Sequence, residues 1–118
     1  MSAVLIYAED EYTRETIKST LIDHLPLIVT DDRDQCLEAL NQKAGINKAF
    51  IGTSSEKSKA ALKLFDDISG SRPELSVIAV GDHHTENTAI EAVRHGAAGY
   101  ILIPAEANAI LTLARQQA

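Results

Sequence analysis

The chain has 118 residues, 45% hydrophobic and 24% charged, enough apolar material for one packed domain and too much for a disordered tail. A formal net charge of −6 opposes non-specific nucleic-acid binding, and no apolar stretch approaches the ~20 residues that cross a bilayer. A lone cysteine, Cys36, excludes an internal disulfide, and Met1-Ser2 leads into apolar sequence without a basic leader, so a single cytoplasmic domain is expected.

Five short apolar runs alternate with helical patterns. After the first run, Ala3–Tyr7, Ile17 and Leu21 share one face of a helix predicted over 12–24. The second run is Leu27–Thr30. Asp31-Asp32 then offer a capping carboxylate to a helix over 32–42, where Cys36, Leu37 and Leu40 line one face and Cys36 reads as a core residue. The third run is 49–51. Behind it Ala61, Leu64, Phe65 and Ile68 fall at i, i+3, i+4 and i+7, a full apolar stripe that Gly70 is expected to end. The fourth run is 75–80; Thr85 is the expected cap of a helix marked by Ala89, Ile90 and Val93, and Gly96 its stop. His95 lies in the last turn of that helix, where a positive charge suits the dipole. The fifth run, 100–103, precedes a helix marked by Ala107, Ile110, Leu111 and Ala114. Pro26, Pro73 and Pro104 all fall between elements.

The runs do not alternate polar and apolar residues, as expected for strands covered on both faces. Five strand–helix units in series imply an α/β fold: a doubly wound, five-stranded parallel sheet flanked by five helices, one flavodoxin-like domain over 1–118. In such folds ligand groups collect beyond the carboxyl ends of the strands. That rule selects 8–11, Asp31-Asp32, 52–55, 81–84 and Ile103-Pro104.

Two stretches among these resemble the CheY-like receiver domain of bacterial response regulators. One is Val4-Leu5-Ile6-Tyr7 with the acidic cluster and Arg14-Glu15 behind it; the other is Gly96-Ala97-Ala98-Gly99-Tyr100-Ile101-Leu102-Ile103-Pro104. The resemblance spans nearly the whole chain. It implies phosphoryl transfer from a histidine kinase to an aspartate, using an acidic pair for Mg²⁺ after strand 1, an acceptor Asp after strand 3, a Thr or Ser after strand 4 and a Lys before the final proline. Carboxylates hold the hard cation, and cation and lysine together neutralise the transferring group. Here the acidic pair falls on Ala8 and Glu9, or with a shift of one on Glu9 and Asp10. The acceptor position falls on Gly52, or one residue on at Thr53; the hydroxyl position falls on Gly81 and the lysine position on Ile103. Gly81 and Ile103 stand 22 residues apart, the family spacing. Acceptor, hydroxyl and lysine are therefore missing, and an apolar Ile103 is hostile to a dianion. The resemblance thus implies a pseudo-receiver with no catalytic residue.

Glu9-Asp10-Glu11 offers carboxylates to Mg²⁺ but lacks the central ligand, so the cofactor expectation is none beyond a weakly held Mg²⁺ on Glu9 and Asp10. Thr53-Ser54-Ser55 reads as a cap or turn rather than a substitute acceptor. His83-His84 has no third metal ligand in reach, and His24 is assigned no role. Tyr100 occupies the position of the aromatic residue that swings inward when receivers are phosphorylated. The leading expectation is a phosphorylation-independent, non-enzymatic regulatory module of two-component type, the N-terminal part of a longer regulator whose output domain, such as a transcriptional activator, lies in cis. Its expected partner is a protein or a second copy, bound through the helix 4–strand 5–helix 5 face with Ala92, Tyr100 and Ala109, with no nucleic acid and no membrane. The open end of the helix at 111–118 suits such a continuation. A small-molecule sensor using a pocket at Gly52, Gly81 and Ile103 is the alternative from another class, and a receiver with its acceptor displaced to Thr53 is a third.

Overall fold

Strands that are apolar on both faces need helices on both sides, and the chain supplies them in strict alternation. The computed structural model describes residues 3–42, 45–53, 58–82, 85–104 and 107–115, with the backbone alone at 58–61. In order the elements are β1 (Ala3–Tyr7), α1 (Glu11–Leu21), β2 (Leu27–Thr30), α2 (Arg33–Gln42), β3 (Ile46–Gly52), α3 (Ser58–Ser71), β4 (Ser76–Gly81), α4 (Glu86–Arg94), β5 (Gly99–Leu102) and α5 (Ala107–Arg115). The five strands form one parallel sheet in the order β2-β1-β3-β4-β5. The expected fold class is the one observed.

The pleat divides the core in two. Leu5, Tyr7, Ala49, Ile51, Val77 and Ala79 pack against α2, α3 and α4 through Cys36, Leu40, Leu64, Phe65, Ile68, Ala89 and Ala92. Val4, Ile6, Phe50, Ile78 and Val80 pack on the other face against Ile17 and Leu21 of α1 and Ile110 and Ala114 of α5. The strand order reverses between β1 and β3, which opens the ligand crevice of this fold class beside Ala8 and Gly52.

Several local expectations need correction. β3 starts three residues before the apolar run 49–51. The β1–β3 register shifts there, from Ala3 opposite Ile46 to Val4 opposite Lys48, and the polar Asn47 and Lys48 hide the strand from a hydropathy reading. Lys48 is buried beneath α5, where its Nζ donates to the Leu113 carbonyl at 2.6 Å and burial lowers its pKa. Gly70 does not stop α3, which runs on to Ser71. Gly96 does follow the end of α4, at φ +109°, and a Cβ there would overlap the Ser69 side chain, so only glycine fits. Asp32 caps α2 through Gln35 N at 3.0 Å. Thr85 stands at the N-cap position of α4 as expected, but its side chain makes no capping bond, because its hydroxyl turns back to accept from Asp82 N at 2.8 Å. His95 ends α4 and meets Asp66 of α3 at 2.8 Å. The side chain of Ala61 and the open end expected at 116–118 lie outside the described residues.

Candidate functional site

The strand ends bring Ala8, Gly52, Thr53, Gly81 and Ile103 into one row. Tyr7 pairs with Ile51, Gly52 with Val80 and Gly81 with Leu102, so each candidate follows its neighbour across the sheet. The glycines are closely covered. A Cβ at Gly52 would lie 2.8 Å from Ala8 Cβ and 3.3 Å from Thr13 Cγ2; one at Gly81 would lie 2.9 Å from Thr85 Oγ1 and 3.2 Å from Thr53 Oγ1. Thr53 is buried, and both its amide and its hydroxyl donate to the Val80 carbonyl, at 2.8 and 3.0 Å. Its oxygen is thereby turned into the sheet. Ile103 is 2% exposed and packs with the Phe50, Val80 and Ile110 group, while its amide donates to Gly81 O at 2.8 Å. The Ile103–Pro104 peptide is cis. Among the described residues, Ala8, Thr13, Thr53 and Thr85 stand close to the Cβ positions that glycine leaves empty at 52 and 81.

Glu9 and Asp10 follow the row but are turned to local work. Glu9 Oε1 accepts from the Tyr7 hydroxyl at 3.2 Å, and burial first, the Glu9 charge second, holds the Tyr7 phenol above its ordinary pKa. Asp10 is the N-cap of α1: its Oδ2 accepts from the amide and hydroxyl of Thr13 at 2.9 and 2.8 Å. Arg14 reaches back over the strand end, and its Nη1 donates to the carbonyls of Ala8 at 3.0 Å and Glu9 at 3.4 Å. Sequence reading assigned Arg14 no task; its spacing behind the acidic cluster was the only hint. No group of three or more His, Cys, Asp or Glu able to hold a metal occurs among the described residues. Ser54, Ser55, His83 and His84 lie outside them.

A scan against protein-family models finds no match, and a search of curated proteins finds none either. Solved structures do match. NtrX from Brucella abortus is 27% identical with a TM-score of 0.83, covering 97% of this chain and 26% of its own. The receiver domain of that NtrX is 25% identical, with a TM-score of 0.80 over 94% of this chain and 93% of its own. The CheY-like protein TadZ from Pseudomonas aeruginosa PAO1 is 20% identical, with a TM-score of 0.82 over 98% of both chains. This chain has the receiver fold. It spans about a quarter of the NtrX chain that it matches.

On that receiver frame, large apolar side chains are exposed on α4 and β5. Ile90 and Val93, which sequence periodicity placed on the buried stripe of α4, are 40% and 41% exposed. The short side chains of Ala89 and Ala92 face the sheet instead, and full burial of Ala92 removes it from the expected contact surface. Tyr100 on β5 is 42% exposed, and Ala109 on α5 is exposed as expected. Tyr12 and Ile22, on or just beyond α1, are also open to solvent, and sequence reading missed both. No helix among the described residues is long and apolar enough to cross a membrane.

Proposed function

We propose that this chain is a pseudo-receiver: a two-component regulatory module that works through protein contacts and accepts no phosphoryl group. One observation carries the reading. The acceptor position is Gly52, which has no carboxylate and whose missing Cβ would meet Ala8 at 2.8 Å. The supporting chemistry agrees, since Gly81 has no hydroxyl and Ile103 puts a buried alkyl group where an ammonium group must neutralise charge. Thr53 does not replace the acceptor, because its hydroxyl is buried and bonded to Val80 O. The module is non-enzymatic and cytoplasmic, and it belongs to a longer regulator with an output domain in cis, a reading supported by the quarter of NtrX that it matches.

Its contact surface is the α4–β5–α5 face. Ile90, Val93 and Tyr100 leave large apolar groups in water there, and covering them with a partner or a second copy recovers burial energy. The net charge of −6 gives this domain no role in binding nucleic acid.

The test is incubation with acetyl phosphate and Mg²⁺, read by intact mass, beside sizing chromatography at several concentrations. No mass increment is expected, and any self-association should be lost in Tyr100→Asp. A phosphoryl adduct overturns the reading, and a dimer that survives Tyr100→Asp and Ile90→Asp moves the surface elsewhere.

A further inference from the structure

We infer that Arg14 serves as an internal cation for the β1–α1 loop and that the crevice does not take the Mg²⁺ implied by the receiver fold. Mg²⁺ demands a near-octahedral set of oxygens, anchored by carboxylates that converge on one point. Among the described residues, several oxygens at the strand end are already engaged. Asp10 Oδ2 takes both bonds from Thr13 in the first turn of α1, and Glu9 Oε1 accepts from Tyr7 on the opposite side of β1 from Ile6 and α1. The carbonyls of Ala8 and Glu9 accept from the Arg14 guanidinium. Position 52, which contributes the central carboxylate in receivers, has no side chain, and Ala8 Cβ stands against it.

Charge balance gives the arrangement its logic. Glu9, Asp10 and Glu11 are consecutive, and Glu15 follows one helical turn after Glu11. Such a run repels itself, and a cation held against the backbone beside it reduces that repulsion. A dissociable metal does this only at sufficient concentration, and the loop then stiffens or loosens with metal supply. A guanidinium delivered from α1 is always present and always charged, and its Nη1 alone reaches two successive carbonyls. Arg14 is thus a positioning residue that holds the loop in one state without metal.

This inference is separable from the proposed function, because a chain that accepts no phosphate can still bind Mg²⁺. The test is an amide ¹H–¹⁵N NMR titration of the chain with millimolar MgCl₂, beside thermal melts of wild type, Arg14→Gln and Arg14→Lys. Wild type is expected to show no saturable shifts at Ala8–Asp10 and no change in melting temperature with Mg²⁺ or EDTA. Arg14→Gln should melt lower by about 4 °C, the loss of roughly one partly exposed charged hydrogen bond, and Arg14→Lys should recover a large share because it restores the charge. Saturable Mg²⁺ shifts at Glu9 and Asp10 in wild type overturn the inference while leaving the proposed function intact. Equal melting of Arg14→Gln and wild type, or no recovery in Arg14→Lys, overturns the role of the charge.

Discussion

Replacing Gly52 with aspartate puts a carboxylate at the position that the proposed function takes for the acceptor site, and the crevice floor sets its cost. The new Cβ would lie 2.8 Å from Ala8 Cβ, whereas carbon atoms pack at about 3.5–4.0 Å, so one of the two must give way by nearly an ångström. Ala8 is poorly placed to yield. Its amide donates to Thr30 O, its carbonyl accepts from Arg14, and it is buried. Overpacking of this kind costs about 1–3 kcal/mol. Another negative charge near Glu9 and Asp10, with Ile103 in place of a lysine, adds to that cost, while removing a glycine from the unfolded chain returns about 0.4–1 kcal/mol. The expected net loss is about 1–3 kcal/mol, a melting temperature roughly 4–12 °C lower. Urea unfolding of wild type, Gly52→Asp, Ala8→Gly and the double variant measures it. Ala8→Gly deletes the carbon in conflict, so the cycle should show a favourable coupling of about 1 kcal/mol. A Gly52→Asp protein within about 0.5 kcal/mol of wild type, or a cycle without coupling, would falsify the packed-floor argument.

Two further perturbations test separate parts of the fold. Gly96→Ala forces a side chain into a positive-φ position facing Ser69 and should cost about 2–4 kcal/mol, whereas Gly70→Ala, in the last turn of α3 with nothing within 4 Å of its Cβ, should gain about 0.5–1 kcal/mol. Urea midpoints that move the same way for both would refute the assigned backbone roles. Burial raises the Cys36 thiol to about 12 from an ordinary 9.0, so the unfolded chain loses that proton first. Stability should therefore hold below pH about 9 and fall above it, by at most about 1.4 kcal/mol per pH unit for this one group. Tyr7 pulls the same way from pH about 10, so Cys36→Ala should flatten only the earlier part of the decline in urea midpoint, and an unchanged profile refutes the assignment.

Most of the fold was legible because its signals are local. Apolar runs bounded by glycine and proline placed four of the five strands to within a residue or two at each end, and the stripe Leu64, Phe65 and Ile68 marked the buried face of α3. Misreadings arose where a distant partner changed the meaning of a residue. Lys48 hides the start of β3 from a hydropathy reading, yet its ammonium finds the Leu113 carbonyl of α5, 65 residues on. Ile90 and Val93 looked like core, but α4 sits against the sheet through Ala89 and Ala92, whose small side chains permit close approach and leave the large ones outside. Thr85 looked like a helix cap, and a hydrogen bond to Asp82 took its oxygen elsewhere.

By itself the amino-acid order determined the parallel α/β arrangement, since hydropathy period is a property of single residues and near neighbours. It also located the strand ends that line the crevice. How closely the crevice floor is packed at Gly52 and Gly81 was decided only by the tertiary structure, because Ala8, Thr13, Thr53 and Thr85 converge there from different segments. The same holds for the reach of Arg14 to the end of β1 and for the exposure of Ile90, Val93 and Tyr100. Distances between residues far apart in sequence are set by how helices pack on the sheet, and no local pattern contains them.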